Sequence, residues 1–543
     1  MRCEIPAKSH KPTGPAAWIQ LPSIAPHPSQ GNKTDGECLR LVEGFTLPSF
    51  LIGRAPAAIW FSFILAVVLC LWCPWARGDV GIVLDEALDS SVERITGSGH
   101  SAVYLSRVCP ESPVKLRLCR PDEHGSVIST YTSLREDQRF EWNAVPLSVY
   151  LYGVDDPDDR PLFGSPKIKR VLEEQYRVKY LTAYCTTRSC QTSNSAEWRA
   201  MVGANLSRGI YIFVAETTEE QDLRGIAEFN SLPNVNHFNG ITRNCADFTR
   251  RVINTYFPHA ASPDYLNDFG MTSPKAIARS FTHYALRHPE IRFRILHFAQ
   301  VPGTIKRSSE VRDGTEQLYH SKKLLVPMVL FAQHTLPVMA AFYVLTGRFN
   351  PMREAENYPT AKITETSHQM RSAQADGQTA RAAQLKALAR EQRAEVVGAP
   401  REWQLYRQAL RAAVDDEVRR GTISDRAYLE HVFKRLDKAG TVSADSSGAL
   451  WMEIPSAKGP SRLGLSASNV LAAGSDSQLA DELLLARVGR ELKSSKHERE
   501  NMLEFKEDWE LLQTAHGQEA DSTPSRSLSA SNPDAVIPAG GDQ

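Results

Sequence analysis

The chain has 543 residues, 42% of them apolar and 23% charged, with 63 basic and 63 acidic side chains. This length predicts one or two globular domains joined to non-globular segments. Zero net charge, with no basic stretch interleaved with aromatics, excludes a nucleic-acid platform, so no nucleic acid is expected among the partners.

Residues 1–50 are rich in Pro, Ser and Gly, lack periodicity and read as a disordered leader. The run Ala57 to Trp72 is uncharged and follows Arg54. As a helix it would cover about 24 Å, short of the ~30 Å hydrocarbon core. Pro74 then breaks it, and Ala76-x-Gly78 is a small-x-small cleavage pattern before Asp79. Residues 51–78 are therefore expected to be a signal peptide, or an uncleaved signal anchor, and the protein is expected to be exported and membrane-anchored, on the extracytoplasmic or periplasmic face.

Residues 79–320 mix short apolar stretches of both periods and predict one α+β domain. Strands are expected at Ser101 to Val108, with Val114 to Cys119 as its hairpin partner, and at Pro146 to Tyr152, Gly209 to Ala215 and Ile291 to Phe298. Val80 to Leu84 reads as a strand or the end of a helix. Helices are expected over Lys167 to Tyr180, over Asn244 to Phe257, and from Ser273-Pro274 to Leu286, where proline occupies the first turn.

The uncharged run Leu324 to Leu345 has the length of a transmembrane helix. Lys322 and Lys323 flank one end and Arg348 and Arg353 the other, so charge gives no orientation. Given an exporting leader, such a span returns residues 350–543 to the cytoplasm. Residues 350–512 are expected to be helical, with a helical pair over Trp403 to Lys438; the stretch Gly440 to Ser477 is mostly Ser, Ala and Gly. They would recruit a cytoplasmic protein partner. Residues 513–543 read as a disordered tail.

Removal of the leader would leave Cys109, Cys119, Cys185, Cys190 and Cys245. The first four form two local pairs suited to disulfides in an oxidising compartment, with Cys245 left as the free thiol. No metal-ligand spacing is recognisable, so no metal or cofactor is expected; a site built from His100, His124 and Cys245 matches no zinc signature.

Two islands concentrate the chemistry: Gly97-Ser98-Gly99-His100-Ser101-Ala102-Val103-Tyr104-Leu105, and Asn239-Gly240-Ile241-Thr242-Arg243-Asn244-Cys245-Ala246-Asp247-Phe248. Asn244 is a strong N-cap, which places Cys245 in a first helical turn, where free N–H groups favour thiolate. His100 follows two glycines at the start of an apolar strand, where it could serve as a base. Tyr104 shares its face. His237 reads as loop or cleft lining.

A Gly-His-apolar strand followed much later by Asn-Cys-x-x-Phe opening a helix resembles the permuted branch of the NlpC-type peptidase superfamily, to which the lecithin:retinol acyltransferase family and several bacterial exported families belong. The resemblance implies a circularly permuted papain-like fold, an antiparallel sheet packed on helices, over roughly residues 95–260. It implies Cys245 as nucleophile and His100 as general base. Pairing across the Pro110–Pro113 turn would bring His100 opposite Asp122 to Ile128, where His124 is the first candidate for the third catalytic residue and Glu123 the second.

Three functions follow. A thiol hydrolase would act on amide or ester bonds of a cell-envelope peptide or lipid. An acyltransferase would use the same thioester. A non-catalytic membrane-anchored binding or scaffold protein would use the fold alone.

Overall fold

A computed structural model describes residues 78–88, 99–121, 123–130, 140–184, 197–235, 243–320, 325–326, 329–330, 334–357, 383–384, 400–419, 426–446, 448–457, 459–470, 475–491 and 511–512. The signal segment 51–77, Cys185, Cys190 and His237 lie outside them.

Among the described residues, eight strands precede the C-terminal region. They are β1 (Gly78–Asp85), β2 (His100–Leu105), β3 (Val108–Ser112), β4 (Lys115–Leu118), β5 (Ser126–Ser129), β6 (Asn143–Pro146), β7 (Ile210–Thr217) and β8 (Arg294–Phe298). Six form one antiparallel sheet in the order β6-β5-β2-β1-β7-β8, and β3 and β4 form a separate ribbon. The fold is thus α+β, with an antiparallel sheet packed on helices.

Period-two alternation makes this sheet two-sided. Val83, Ala102, Tyr104, Val127 and Val145 enter one apolar core. Val80, Ile82, Leu84, Val103, Leu105 and Ile128 enter the other. The first core is closed by α1 (Leu147–Tyr152) and α2 (Pro166–Tyr180), through Val149, Tyr150, Ile168 and Leu172. The second is closed by α4 (Cys245–Tyr256) and α5 (Pro274–Ala285), through Ala246, Phe248, Ile253, Ile277 and Phe281. A further helix, α3 (Glu219–Ser231), starts from Thr218 in a capping box.

Two strand expectations are corrected. Val114 to Cys119 does not pair with β2, because the chain bends at Ser106 and Arg107. There Ser106 Oγ accepts from Asp79 N at 2.7 Å, and Arg107 Nε donates to Asp222 at 2.9 Å. The ribbon instead pairs Val108 with Leu118, and it carries the Cys109–Cys119 disulfide. Pro146 to Tyr152 is a strand only as far as Pro146. Leu147–Tyr152 is helical and ends at Gly153, whose φ of 79° closes the last turn.

The largest departures lie towards the C-terminus. No helix among the described residues is long and apolar enough to cross a membrane. After α6 (Gly314–His320), the 324–345 run holds the eight-residue α7 (Thr335–Phe342), which passes into a π turn at Tyr343–Gly347. A short helix, α8 (Pro351–Asn357), follows.

Nor does the C-terminal region stand apart. The helices α9 (Pro400–Arg419), α10 (Arg426–Ala439) and α11 (Ser477–Glu491) accompany a three-stranded sheet of β9 (Thr441–Ala444), β10 (Leu450–Ile454) and β11 (Ser461–Gly464). Leu410, Val432, Leu436, Met452 and Leu484 belong to the same core as Val83 and Ala102. Phe163 stacks on Phe433 with ring centroids 5.4 Å apart, and Leu162 N donates to Leu465 O at 2.8 Å. Elements sharing one core cannot lie on opposite sides of a bilayer, so the expectation of cytoplasmic helices after a span is corrected. The helical expectation for 350–512 is corrected in part too, since the Gly440–Ser477 stretch holds β9, β10 and β11.

Candidate functional site

Asn244 caps α4 as its residue type predicts. Its side chain accepts from Asp247 N at 3.0 Å and donates to Thr272 O at 2.9 Å. Thr272 Oγ1 donates to Asp247 at 2.8 Å, which ties the helix start to the segment before α5. Cys245 is therefore the first helical residue. It is a free cysteine and partly buried as a residue. Its sulfur end faces Ser101 and is the enclosed part. Burial pushes the thiol pKa up, and hydrogen bonds from the Ser101 backbone and hydroxyl, and from the Ala246 and Cys245 backbone, offset this only in part. Desolvation here outweighs the N-terminal dipole on which the thiolate expectation rested.

His100 is adjacent to Ser101 in β2, so its side chain points to the other face of the sheet. Its Nε2 is hydrogen-bonded to Ser129 Oγ at 2.8 Å, either atom donating according to tautomer. Around it lies a buried polar row. Asp85 is its register partner across β1 and β2. Tyr150, from α1, donates to Asp85 Oδ2 at 2.7 Å, and Arg208 Nη1 lies 3.5 Å from the same oxygen. Burial lowers the His100 pKa well below 6.5, with the Arg208 charge acting in the same direction. Burial also raises Asp85, against the opposing effects of Arg208 and Tyr150. The imidazole is thus neutral and closed off.

The two residues expected to form a couple lie on opposite faces of one sheet. His100 faces α1; Cys245 faces β2 from the α4 side. Tyr104 does share the face of His100 and packs in its core.

The third-residue expectation also changes. Val103 pairs with Ile128, Tyr104 with Val127 and Leu105 with Ser126. His124 therefore lies past the Leu105 end of β2, exposed, whereas His100 begins the strand five steps away, about 16 Å. The shift arises because β2 pairs with β5 and not with the ribbon on which the expected register was based. Glu123 is engaged elsewhere. Arg117 grips both its carboxylate oxygens, at 2.7 and 2.6 Å, and this ion pair holds its pKa down to about 2. Ser129, Asp85, Tyr150 and Arg208 were missed. The only sequence signals were a serine ending the apolar strand Ser126–Ser129 and an aspartate ending β1.

Comparison with family models, curated proteins and solved structures finds no match for the chain.

Among the described residues, one group of metal-capable side chains converges, Cys109, Cys119 and Glu123. Its two sulfurs are joined to each other, and Glu123 is held by Arg117. His100, His124 and Cys245 do not converge.

A cleft of about 90 Å³ opens between α3 and α4, lined by Trp142, Phe229, Leu232, Pro233, Phe248 and Val252. Tyr256 lines it, 5% exposed, with a buried hydroxyl that has no hydrogen-bond partner among the described residues. Gly225 makes room for that hydroxyl, because a Cβ there would stand 2.3 Å from it. Burial raises the phenol pKa further, so it remains a neutral donor.

Proposed function

We propose that this chain is a non-catalytic, membrane-associated binding or scaffold module whose permuted papain-like elements are structural. The observation that carries this reading is the placement of His100 and Cys245 on opposite faces of the central sheet, with no base beside the thiol among the described residues and the thiol pKa raised. Nucleophilic catalysis needs the base within hydrogen-bond reach. The permuted papain-like assignment draws support from the histidine-bearing strand β2 and the cysteine-headed helix α4 packed against it. The Cys109–Cys119 disulfide supports export to an oxidising compartment. The α3/α4 cleft supplies a binding surface. Its aromatic walls suit an apolar side chain of a partner.

The test is alkylation of the full chain with iodoacetamide across pH 4–9, with modification of the Cys245 peptide followed by mass spectrometry, beside a His100→Ala variant. We expect slow reaction that rises only above the ordinary cysteine pKa of about 8.5 and is indifferent to His100. A thiolate titrating below that value and shifted by His100→Ala would overturn the reading and restore the cell-envelope hydrolase or acyltransferase.

A further inference from the structure

The loop after α4 has its polarity reversed. Tyr265, Leu266 and Phe269 are 58%, 69% and 52% exposed, while Asn267 and Asp268 between them are 2% and 1% exposed. An ordinary surface loop turns its polar residues to water and its apolar residues inward. Here the buried polar pair builds the support. Asp268 accepts from Gly314 N at 2.9 Å and from Ser273 Oγ at 2.6 Å. Asn267 O accepts from Thr315 N at 2.8 Å. Gly270 N donates to Tyr265 O at 2.7 Å, closing the loop. Phe269 is held at φ 52°, a left-handed conformation that is strained for a bulky side chain.

The second element is α7 with its π turn. Every residue from Leu336 to Phe342 is apolar, and none is buried. Val338, Val344 and Leu345 are 69%, 61% and 82% exposed. The element is fixed, not loose, since Tyr319 donates to Leu336 O at 2.6 Å and Tyr343 donates to Glu316. It also ends beside the loop. A Cβ at Gly347 would come 2.9 Å from the Asn267 side chain.

We propose that the 265–269 loop and the α7 segment together form a surface that lies in the interfacial layer of a lipid bilayer. The occupant is lipid. One side of α7 is half-buried through Leu336, Met339, Ala340 and Phe342, while the outward side, Pro337, Val338, Ala341, Val344 and Leu345, is exposed and wholly apolar. Exposed Arg348 and Arg353 follow that apolar side, where anionic headgroups would lie. An element this short lies in the interface and does not cross it. The proposal deepens the membrane-associated reading and rests on it for the presence of a bilayer.

The test is hydrogen exchange on the full chain, with and without vesicles of phosphatidylcholine and phosphatidylglycerol. We expect vesicles to slow exchange in peptides covering 262–271 and 335–347, with β3 and β4 unchanged, and a Leu266→Glu/Phe269→Glu variant to lose that protection. Both residues are exposed, so the variant's unchanged thermal transition serves as the folding control. Should the chain sediment with vesicles while these peptides stay unprotected, the surface proposal falls and membrane association through residues 57–72 stands. No sedimentation at all would overturn both. Protection that appears without vesicles and grows with protein concentration would show a second copy of the chain as the occupant and overturn the lipid assignment.

Discussion

His100 Nε2 and Ser129 Oγ, 2.8 Å apart, share the face of the central sheet that α1 covers, and this bond holds the imidazole away from Cys245. Ser129 is fully buried. Ser129→Ala leaves a ring nitrogen without that partner in the interior, which costs about 1–3 kcal/mol. Equilibrium urea unfolding should show a lower midpoint with unchanged slope, while the alkylation rate of Cys245 stays where it was.

Protonation of the same imidazole gives an acid-side prediction. The folded His100 pKa lies below its unfolded value of 6.5, so the unfolded chain takes up the proton first. Stability is therefore lost as pH falls through 6.5 towards the folded value. Comparing urea midpoints at pH 7.5 and 5.5, wild type should lose more than His100→Gln. An equal loss in both would mean that His100 is not buried neutral.

Asp313 works in the opposite direction. Burial, and secondarily the Glu316 carboxylate, push its pKa up to about 7 from an ordinary 3.8. The folded form holds its proton in the intervening range, so its contribution is complete below 3.8 and lost as pH rises through 7. Asp313 also caps α6 by accepting from Glu316 N at 2.8 Å, a role asparagine can fill. Asp313→Asn should therefore gain stability relative to wild type at pH 8, and gain less or nothing at pH 5, by thermal melts at the two pH values.

Gly99 precedes His100 at φ 67°, and a Cβ there would stand 2.3 Å from Asp85 O. Both the conformation and the backbone contact exclude a side chain. Gly99→Ala should destabilise the fold by at least about 3 kcal/mol and disturb the β1–β2 register. Chemical denaturation would register the first effect, and slowed or lost amide protection across β2 the second.

The Cys109–Cys119 bridge closes a loop of sequence separation 10. Loop-closure entropy puts its removal at roughly 3 kcal/mol. The Cys109→Ala/Cys119→Ala variant should melt earlier than wild type under oxidising conditions and at the same temperature once a reductant is added to both.

Much local structure was written in residue order. Asn244 announced a helix start, and Cys245 is its first residue. Ser273-Pro274 announced another. The apolar alternation of Ser101 to Leu105 announced a strand on which His100 and Tyr104 share one face, and the spacing of Cys109 and Cys119 announced their bridge. These features depend on neighbours within a few positions, where capping, ring constraint and pleat geometry act directly. Which helix covers which face of β2 depends on packing between segments more than a hundred residues apart, and there the order of residues is silent. Alternation places Ser101 opposite His100 but does not say that α4 will choose the Ser101 side. Register was decided in the same way, when the bend at Ser106 and Arg107 released β2 to pair with β5. The C-terminal helices joined the core of Val83 and Ala102 because their own apolar faces needed cover, and only the three-dimensional fold could show that the first domain supplied it.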